Sequence, residues 1–258
     1  MNLIRLLSRR SVIVGIASLL ATAMCVSGQQ EEGFERYQFE GSLGNSRIGL
    51  TLVLDGGKIT SGHYFYQKFL QDIPITGSIQ GSEISLTEPE GGTFLLRFVG
   101  NGSEGNQPLG WDNSIGMKGT WTRGDRSRSY AVSLHLTTIL NGADGRRRYE
   151  YVTRESDGAF EKRVQSFWRA VLERDKDTAV RFISYPLRVN LPNRTHKKLR
   201  NSTEVLAAWD KLFTPAMIAK LQQDLPHDMF VHNGMAMLGD GEAWFDAKGL
   251  ATVNVPSR

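Results

Sequence analysis

The hydrophobic period of this 258-residue chain changes near residue 155. Before that point apolar side chains recur every second residue. After it they recur at helical spacing, with one alternating run at Leu187–Leu191 and a return to alternation near the C-terminus. Side chains two apart share a face of a strand, whereas those three or four apart share a face of a helix. One uniform architecture is therefore excluded, and an all-β part followed by a mixed part is expected.

In the first part Ile48, Leu50, Leu52 and Leu54 alternate with Gly49, Thr51 and Val53, and Asp55-Gly56-Gly57 supplies a hairpin turn. Ile59 to Tyr66 forms the return strand. Tyr37–Leu43, Ile73–Ile79, Glu83–Glu88, Thr93–Val99, Ile115–Thr122 and Ser129–Thr137 bring the total to about eight strands with no helical stretch between them. Sequential hairpins of this kind favour an up-and-down β-barrel or a strongly coiled meander, and the glycine pattern that follows supports closure. Gly41, Gly77 and Gly119 each stand between apolar residues two positions away, with a looser copy at Gly62. Glycine on the inner face lets a strand coil tightly. This alternation puts Tyr64, Tyr66, Met117 and Trp121 inside the barrel and His63 and Phe65 outside it.

Around residue 140 the chain turns polar, through Asn141-Gly142-Ala143-Asp144-Gly145 and Arg146-Arg147-Arg148. A barrel domain at 29–140, a linker at 141–157 and a second domain at 158–258 follow from that shift. Phe160, Val164, Phe167, Val171 and Leu172 form one helical stripe. Asp177 is positioned to cap a short second helix carrying Val180 and Ile183. Asn201 with Glu204 starts a third helix, and Thr214-Pro215 a fourth. Strand-like runs at Leu187–Leu191, Met229–Val231, Met235–Leu238, Glu242–Phe245 and Leu250–Val255 complete an α+β pattern.

The N-terminus follows the plan of an export signal over residues 1–28. Arg5, Arg9 and Arg10 precede an apolar run from Val12 to Val26, and small residues lie at 21–28. Ser8-Arg9-Arg10-Ser11-Val12-Ile13 resembles a twin-arginine signal, so general and twin-arginine export both stay open. A periplasmic or secreted protein is expected. The only cysteine, Cys25, lies in the signal, which leaves the mature protein without disulfides or thiol chemistry. The run is too short for a stable membrane anchor. The full chain has 31 basic and 27 acidic residues, but three of the basic ones belong to the signal. The near balance that remains argues against nucleic acid as a partner, and the arginine triplet reads as a solvated face.

The run Asn233-Gly234-Met235-Ala236-Met237-Leu238-Gly239-Asp240-Gly241-Glu242-Ala243-Trp244-Phe245, with the element order of residues 158–255, resembles the NTF2-like superfamily. The segment Gly62-His63-Tyr64-Phe65-Tyr66 is similar to a small lipocalin-like barrel module. Together they look like secreted bacterial two-domain proteins whose function is not established. The resemblance implies a cone of helices packed into a curved sheet. That fold hosts enzymes, binding modules and assembly domains alike, so it implies no one activity.

No nucleophile elbow, metal-spaced histidine pair or cofactor fingerprint is present, so no catalytic residue, metal or cofactor is assigned. His227 and His232 lie five apart around Asp228, and a site there needs ligands from elsewhere in the chain. Tyr185, His227, Asp228, His232 and Glu242 are the candidates if the second domain performs proton transfer on a small apolar substrate. The preferred expectation is an exported binding or interaction protein, with a small apolar ligand or an envelope protein as its partner. Inhibition of an envelope hydrolase is a third reading. The candidate binding residues are Trp111, in the long polar loop Gly100–Ser114, and Tyr64, Tyr66 and Trp121 of the barrel.

Overall fold

The computed structural model describes residues 33–103, 105–143 and 147–256. The expected export signal lies outside the described residues. The described residues pack as one compact unit. Strands β1 (Phe34–Leu43), β2 (Ser46–Asp55), β3 (Lys58–Tyr66), β4 (Ile73–Gln80), β5 (Glu83–Thr87), β6 (Thr93–Val99), β7 (Gly116–Thr122) and β8 (Ser129–Ala143) follow one another as antiparallel neighbours. The barrel closes when β8 pairs with β1, in a register that includes Phe39 opposite Leu136. The expected eight-stranded up-and-down barrel is the observed one.

The alternation sets the inside of the barrel. Tyr37, Phe39, Ile48, Leu50, Leu52, Leu54, Tyr64 and Met117 are buried in one cluster with Phe94 and Leu96. Full burial of a large apolar side chain contributes about 1.5–3 kcal/mol before chain entropy is set against it. The glycines permit the tight coil. A Cβ at Gly119 would stand 1.9 Å from the carbonyl oxygen of Leu95, and one at Gly41 would stand 1.9 Å from that of Ser133. At both places the neighbouring strand's backbone occupies the space a side chain would need.

β2 departs from a simple barrel strand because both of its faces are buried. Thr51 and Val53 point away from the barrel interior yet are 1% and 6% exposed. Arg36, Gln38 and Phe65 on the flanking strands are buried in the same way. The second half of the chain covers this outer wall.

That half begins with α1 (Asp157–Leu172), whose N-cap Ser156 accepts from the Ala159 N–H. Its stripe of Phe160, Val164, Phe167, Ala170 and Val171 enters the second core. A short helix α2 (Lys176–Ala179) follows, capped by Asp175 rather than by Asp177. Val180 lies in a 3-10 turn and Ile183 opens β9, so neither belongs to that helix. Next come β9 (Ile183–Asn190), β10 (His196–Leu199), α3 (Ser202–Leu212), α4 (Pro215–Leu221), β11 (Phe230–His232), β12 (Met235–Leu238), β13 (Ala243–Phe245) and β14 (Leu250–Asn254). Asn201 caps α3 by accepting from the Glu204 N–H, and Thr214 caps α4 with Pro215 in its first turn.

The sheet order is β10-β9-β14-β13-β12-β11, with β14 parallel to β9 and every other pair antiparallel. Helices on one mixed sheet make this half α+β, as its pattern predicts. Phe160, Phe167, Trp209, Phe213 and Phe245 fill the space between helices and sheet. Phe167 meets Phe245 edge-on at 5.4 Å and Phe213 at 6.0 Å between ring centroids. Among the described residues no helix is long and apolar enough to cross a membrane.

Candidate functional site

The segment leaving β8 is tied to the start of α1 before it reaches the site. The Arg147 guanidinium donates to the carbonyls of Thr153, Arg154 and Glu155 at 2.7, 3.0 and 2.7 Å. Asp157, in the first turn of α1, accepts the backbone N–H of Arg148 at 2.8 Å and of Tyr149 at 3.3 Å. This clamp directs the Arg148 side chain toward the barrel wall. Arg148 is therefore a buried ion-pair centre, with a side chain only 9% exposed, and not the solvated residue its triplet suggests.

Arg148 donates a pair of hydrogen bonds to Asp72, at 3.0 and 2.9 Å, from the β3–β4 connection. His227 faces the same carboxylate, with Nε2 2.8 Å from Asp72 Oδ1. Its Nδ1 lies 2.6 Å from Glu161 Oε2 of α1, in a skewed approach. Glu161 in turn accepts from the Tyr149 hydroxyl at 2.7 Å and from the Asp228 N–H at 2.9 Å. The Tyr149 hydroxyl completes the relay by accepting from the Met229 N–H at 2.9 Å.

Asp228 joins the two halves. Its backbone is left-handed, with φ of 54°, a conformation aspartate tolerates better than most residues. Its carbonyl accepts from Gln38 of β1 at 2.9 Å, and its carboxylate accepts from the Thr51 hydroxyl of β2. His63 of β3 places Nε2 3.0 Å from the same carboxylate and 3.0 Å from Arg148 Nη1. One ring nitrogen cannot donate to a carboxylate and accept from a guanidinium at once, so the proton on His63 decides which partner it holds.

The electrostatics follow from burial and pairing. Burial alone would raise the Asp72 pKa, yet the hydrogen bonds from His227 and Arg148 outweigh it and hold the carboxyl well below the usual range. Asp228 is likewise penalised by burial but held low by His63, Arg148 and Thr51. For His227, burial favours the neutral ring, while Asp72 and Glu161 reverse that and raise its pKa to about 9. His227 is thus an imidazolium at neutral pH, with both ring nitrogens facing carboxylates.

A cleft of about 820 Å³ opens over this cluster. One wall is the outer face of β1–β3, with Arg36, Val53, Ser61 and His63. The other is the polar stripe Gly158, Lys162, Gln165 and Arg169 of α1. Among the described residues, His63, Asp72 and His227 bring metal-ligating atoms within 4.8 Å of one another. Arg148 Nη1 already stands 3.0 Å from both His63 Nε2 and Asp72 Oδ1, so a metal ion would have to displace a guanidinium. The arrangement is better suited to holding charge in place than to ligating a metal.

The barrel aromatics nominated from sequence lie elsewhere, at two ends of the barrel. The Tyr64 hydroxyl and Trp121 Nε1 both donate to Glu88, at 2.7 and 2.5 Å, and Tyr66 packs edge-on against Tyr64 at 5.7 Å. Burial, then Glu88, raises the Tyr64 pKa far above the ordinary value. Trp111 lies at the other end, against Tyr37 at 5.0 Å and Phe98 at 4.9 Å. It is half-buried against the barrel core rather than displayed at the rim.

Of the second-half candidates, only His227 and Asp228 join the cluster. Glu242 pairs with Lys220 at 2.5 Å. His232 is exposed beside Phe230, and the Tyr185 hydroxyl donates to the Val180 carbonyl at 3.1 Å. The partners that His227 lacked in sequence are Asp72 of the barrel and Glu161 of α1. Asp72, Arg148, Glu161 and Thr51 carried no motif. The one available signal was Glu161, an acid directly beside Phe160 on the apolar stripe of α1.

No protein-family model matches this chain, and neither a curated protein nor a solved structure matches it.

Proposed function

We propose that this is an exported binding protein whose ligand occupies the cleft between the barrel wall and α1. The observation that carries the reading is where open space remains. The barrel and the α+β core are filled with their own side chains, while the interface keeps a cleft of about 820 Å³ over a rigid charged floor. Ligand sites commonly lie where two packed units meet, with a few fixed polar groups giving orientation. The lining is charged, so the ligand we propose is polar rather than apolar. We also propose, on the resemblances stated above, that the two halves are kin to lipocalin-like and NTF2-like modules.

Binding is favoured over proton transfer by the state of His227. A general base needs a free lone pair near the substrate and a pKa near the working pH. His227 carries a proton up to about pH 9 and has a carboxylate at each ring nitrogen. Its surroundings fix a charge and leave no site to accept a proton.

Gly158 provides the test. It lines the cleft, and a Cβ there would meet nothing within 4 Å, so Gly158→Trp should place an indole in the cleft without a clash at its Cβ. Protein purified from its native envelope, examined by native mass spectrometry, should carry a small-molecule adduct that Gly158→Trp loses at unchanged melting temperature. An adduct retained by that variant would place the ligand elsewhere. N-terminal sequencing of the same material should begin between Met24 and Gln30, and an intact Met1 would remove the export reading.

A further inference from the structure

The charges around the cleft are unevenly spent. Its three acids, Asp72, Asp157 and Glu161, are all engaged by Arg148, by His227 or by backbone N–H groups of the linker. Three of its cations are not engaged. Arg36, Lys162 and Arg169 line the cleft, and their side chains make no hydrogen bond or ion pair with the described residues.

Arg36 is the most informative of these. It extends from the outer face of β1, is only 5% exposed, and lines the cleft. An arginine so largely buried ordinarily has a carboxylate beside it, because an ionised group is costly to bury without counter-charge. The charges clustered around Arg148 have such partners. Asp72 and Asp228 are paired, Arg148 is paired, and Glu161 lies against His227. Lys162 and Arg169 stand across from Arg36 on α1, about 10 Å apart along the helix by their seven-residue separation. They add positive charge to a space that already holds an unneutralised cation.

We infer that the cleft is an anion site, and that its ligand is a small polyanion bearing at least two oxyanionic groups. One carboxylate or phosphate lies on the guanidinium of Arg36, whose planar fork suits bidentate oxyanions. A second engages Lys162 and Arg169, and the fixed acids of the floor exclude anions from Arg148. This rests on the cleft being the binding site and adds the chemistry of what it binds.

The test uses titration calorimetry on the mature chain at low salt, with citrate as the carboxylate probe, pyrophosphate as the phosphate probe and sucrose as a neutral control. At least one anion should bind with 1:1 stoichiometry and weaken as salt rises, while sucrose does not bind. Arg36→Met should lower that affinity at least tenfold, and Arg36→Lys should lose less. Lys162→Gln with Arg169→Gln should weaken it several-fold and reduce the salt dependence. The probe that binds more tightly identifies carboxylate or phosphate as the group preferred. If neither anion binds, or if Arg36→Met binds as well as the parent, the anion assignment is overturned. The native adduct separates the two proposals. If Gly158→Trp loses it while Arg36→Met retains it, the cleft is the site but not an anion site. If both variants retain it, the cleft is not the site.

Discussion

The two faces of β2 show two ways of burying a strand. On the inner face, Ile48, Leu50, Leu52 and Leu54 meet other apolar side chains, and nothing about the contact depends on charge. On the outer face, Thr51 reaches Asp228, and the neighbouring strands offer Gln38 and His63 to the same residue. The inner core tolerates changes that conserve volume, because dispersion and desolvation are non-directional. The outer contact is a closed set of charges, in which each member's energy depends on the others remaining. Removing one partner of such a set leaves the rest buried without compensation.

The largest effect should come from Arg148→Met. It leaves Asp72, Glu161 and Asp228 with only the histidines as cationic partners, and breaking a buried ion pair of this kind costs about 3–5 kcal/mol. Urea unfolding followed by tryptophan fluorescence reads the loss. A change below about 1 kcal/mol would mean that solvent already screens the cluster, and the contrast between the two faces would collapse.

The same contrast predicts a pH dependence belonging to the outer face alone. The His227 pKa rises on folding from the ordinary 6.5 to about 9. Stability from its protonation is fully present below about pH 6.5 and is lost as pH rises through about 9. At about 1.4 kcal/mol per pKa unit, the loss approaches about 3 kcal/mol. Asp72 and Asp228 have depressed values, so their contribution is present above the ordinary carboxylate range and is lost only as pH falls below about 4. Urea midpoints should therefore decline between pH 6.5 and 9, and His227→Gln should flatten that decline.

Inside the barrel the corresponding break is steric. Gly119→Val drives a side chain into the Leu95 carbonyl, at about 1–3 kcal/mol. Gly124→Ala meets the Glu90 carbonyl at the longer distance of 2.8 Å and should cost less. Neither variant should alter the pH profile. Equal melting temperatures for the two would show that the coil of β7 does not depend on Gly119.

How much of this could be read from the chain depends on the range of the interaction. The barrel was legible because alternation is local, and Gly41, Gly77 and Gly119 sit within their own strands. Helix starts were legible for the same reason at Asn201 and Thr214. At α2 two acids competed for the cap, and Asp175 took it. The site was not legible, because its members are brought together from residues 51, 63, 72, 148, 161, 227 and 228 by packing between the halves. Alternation correctly turned His63 and Phe65 outward. It could not show that α1 and the Pro226–Met229 segment would cover them. Arg148 looked like part of a solvated triplet because composition cannot distinguish it from Arg147, which spends its guanidinium on backbone carbonyls.

The smallest effects compare the two tryptophans that end the barrel. Trp121 Nε1 donates to Glu88, which also holds the Tyr64 hydroxyl. Trp111 Nε1 is buried beside Tyr37 and Phe98, with no hydrogen-bond partner among the described residues. Replacing tryptophan by phenylalanine keeps an aromatic ring at either site and removes the donor. At Trp121 it also takes one of two donors from Glu88, so Trp121→Phe should cost about 1–2 kcal/mol. At Trp111 the donor already forfeits its hydration without return, and deleting it offsets much of the lost ring contact. Trp111→Phe should therefore change stability by less than about 0.5 kcal/mol, since removing an unpaired buried polar group can be nearly neutral. The pair of urea midpoints measures the worth of a hydrogen bond at one mouth of the barrel against its absence at the other. A cost at Trp111 as large as that at Trp121 would show that ring size governs both ends and that Glu88 is incidental to the barrel's closure.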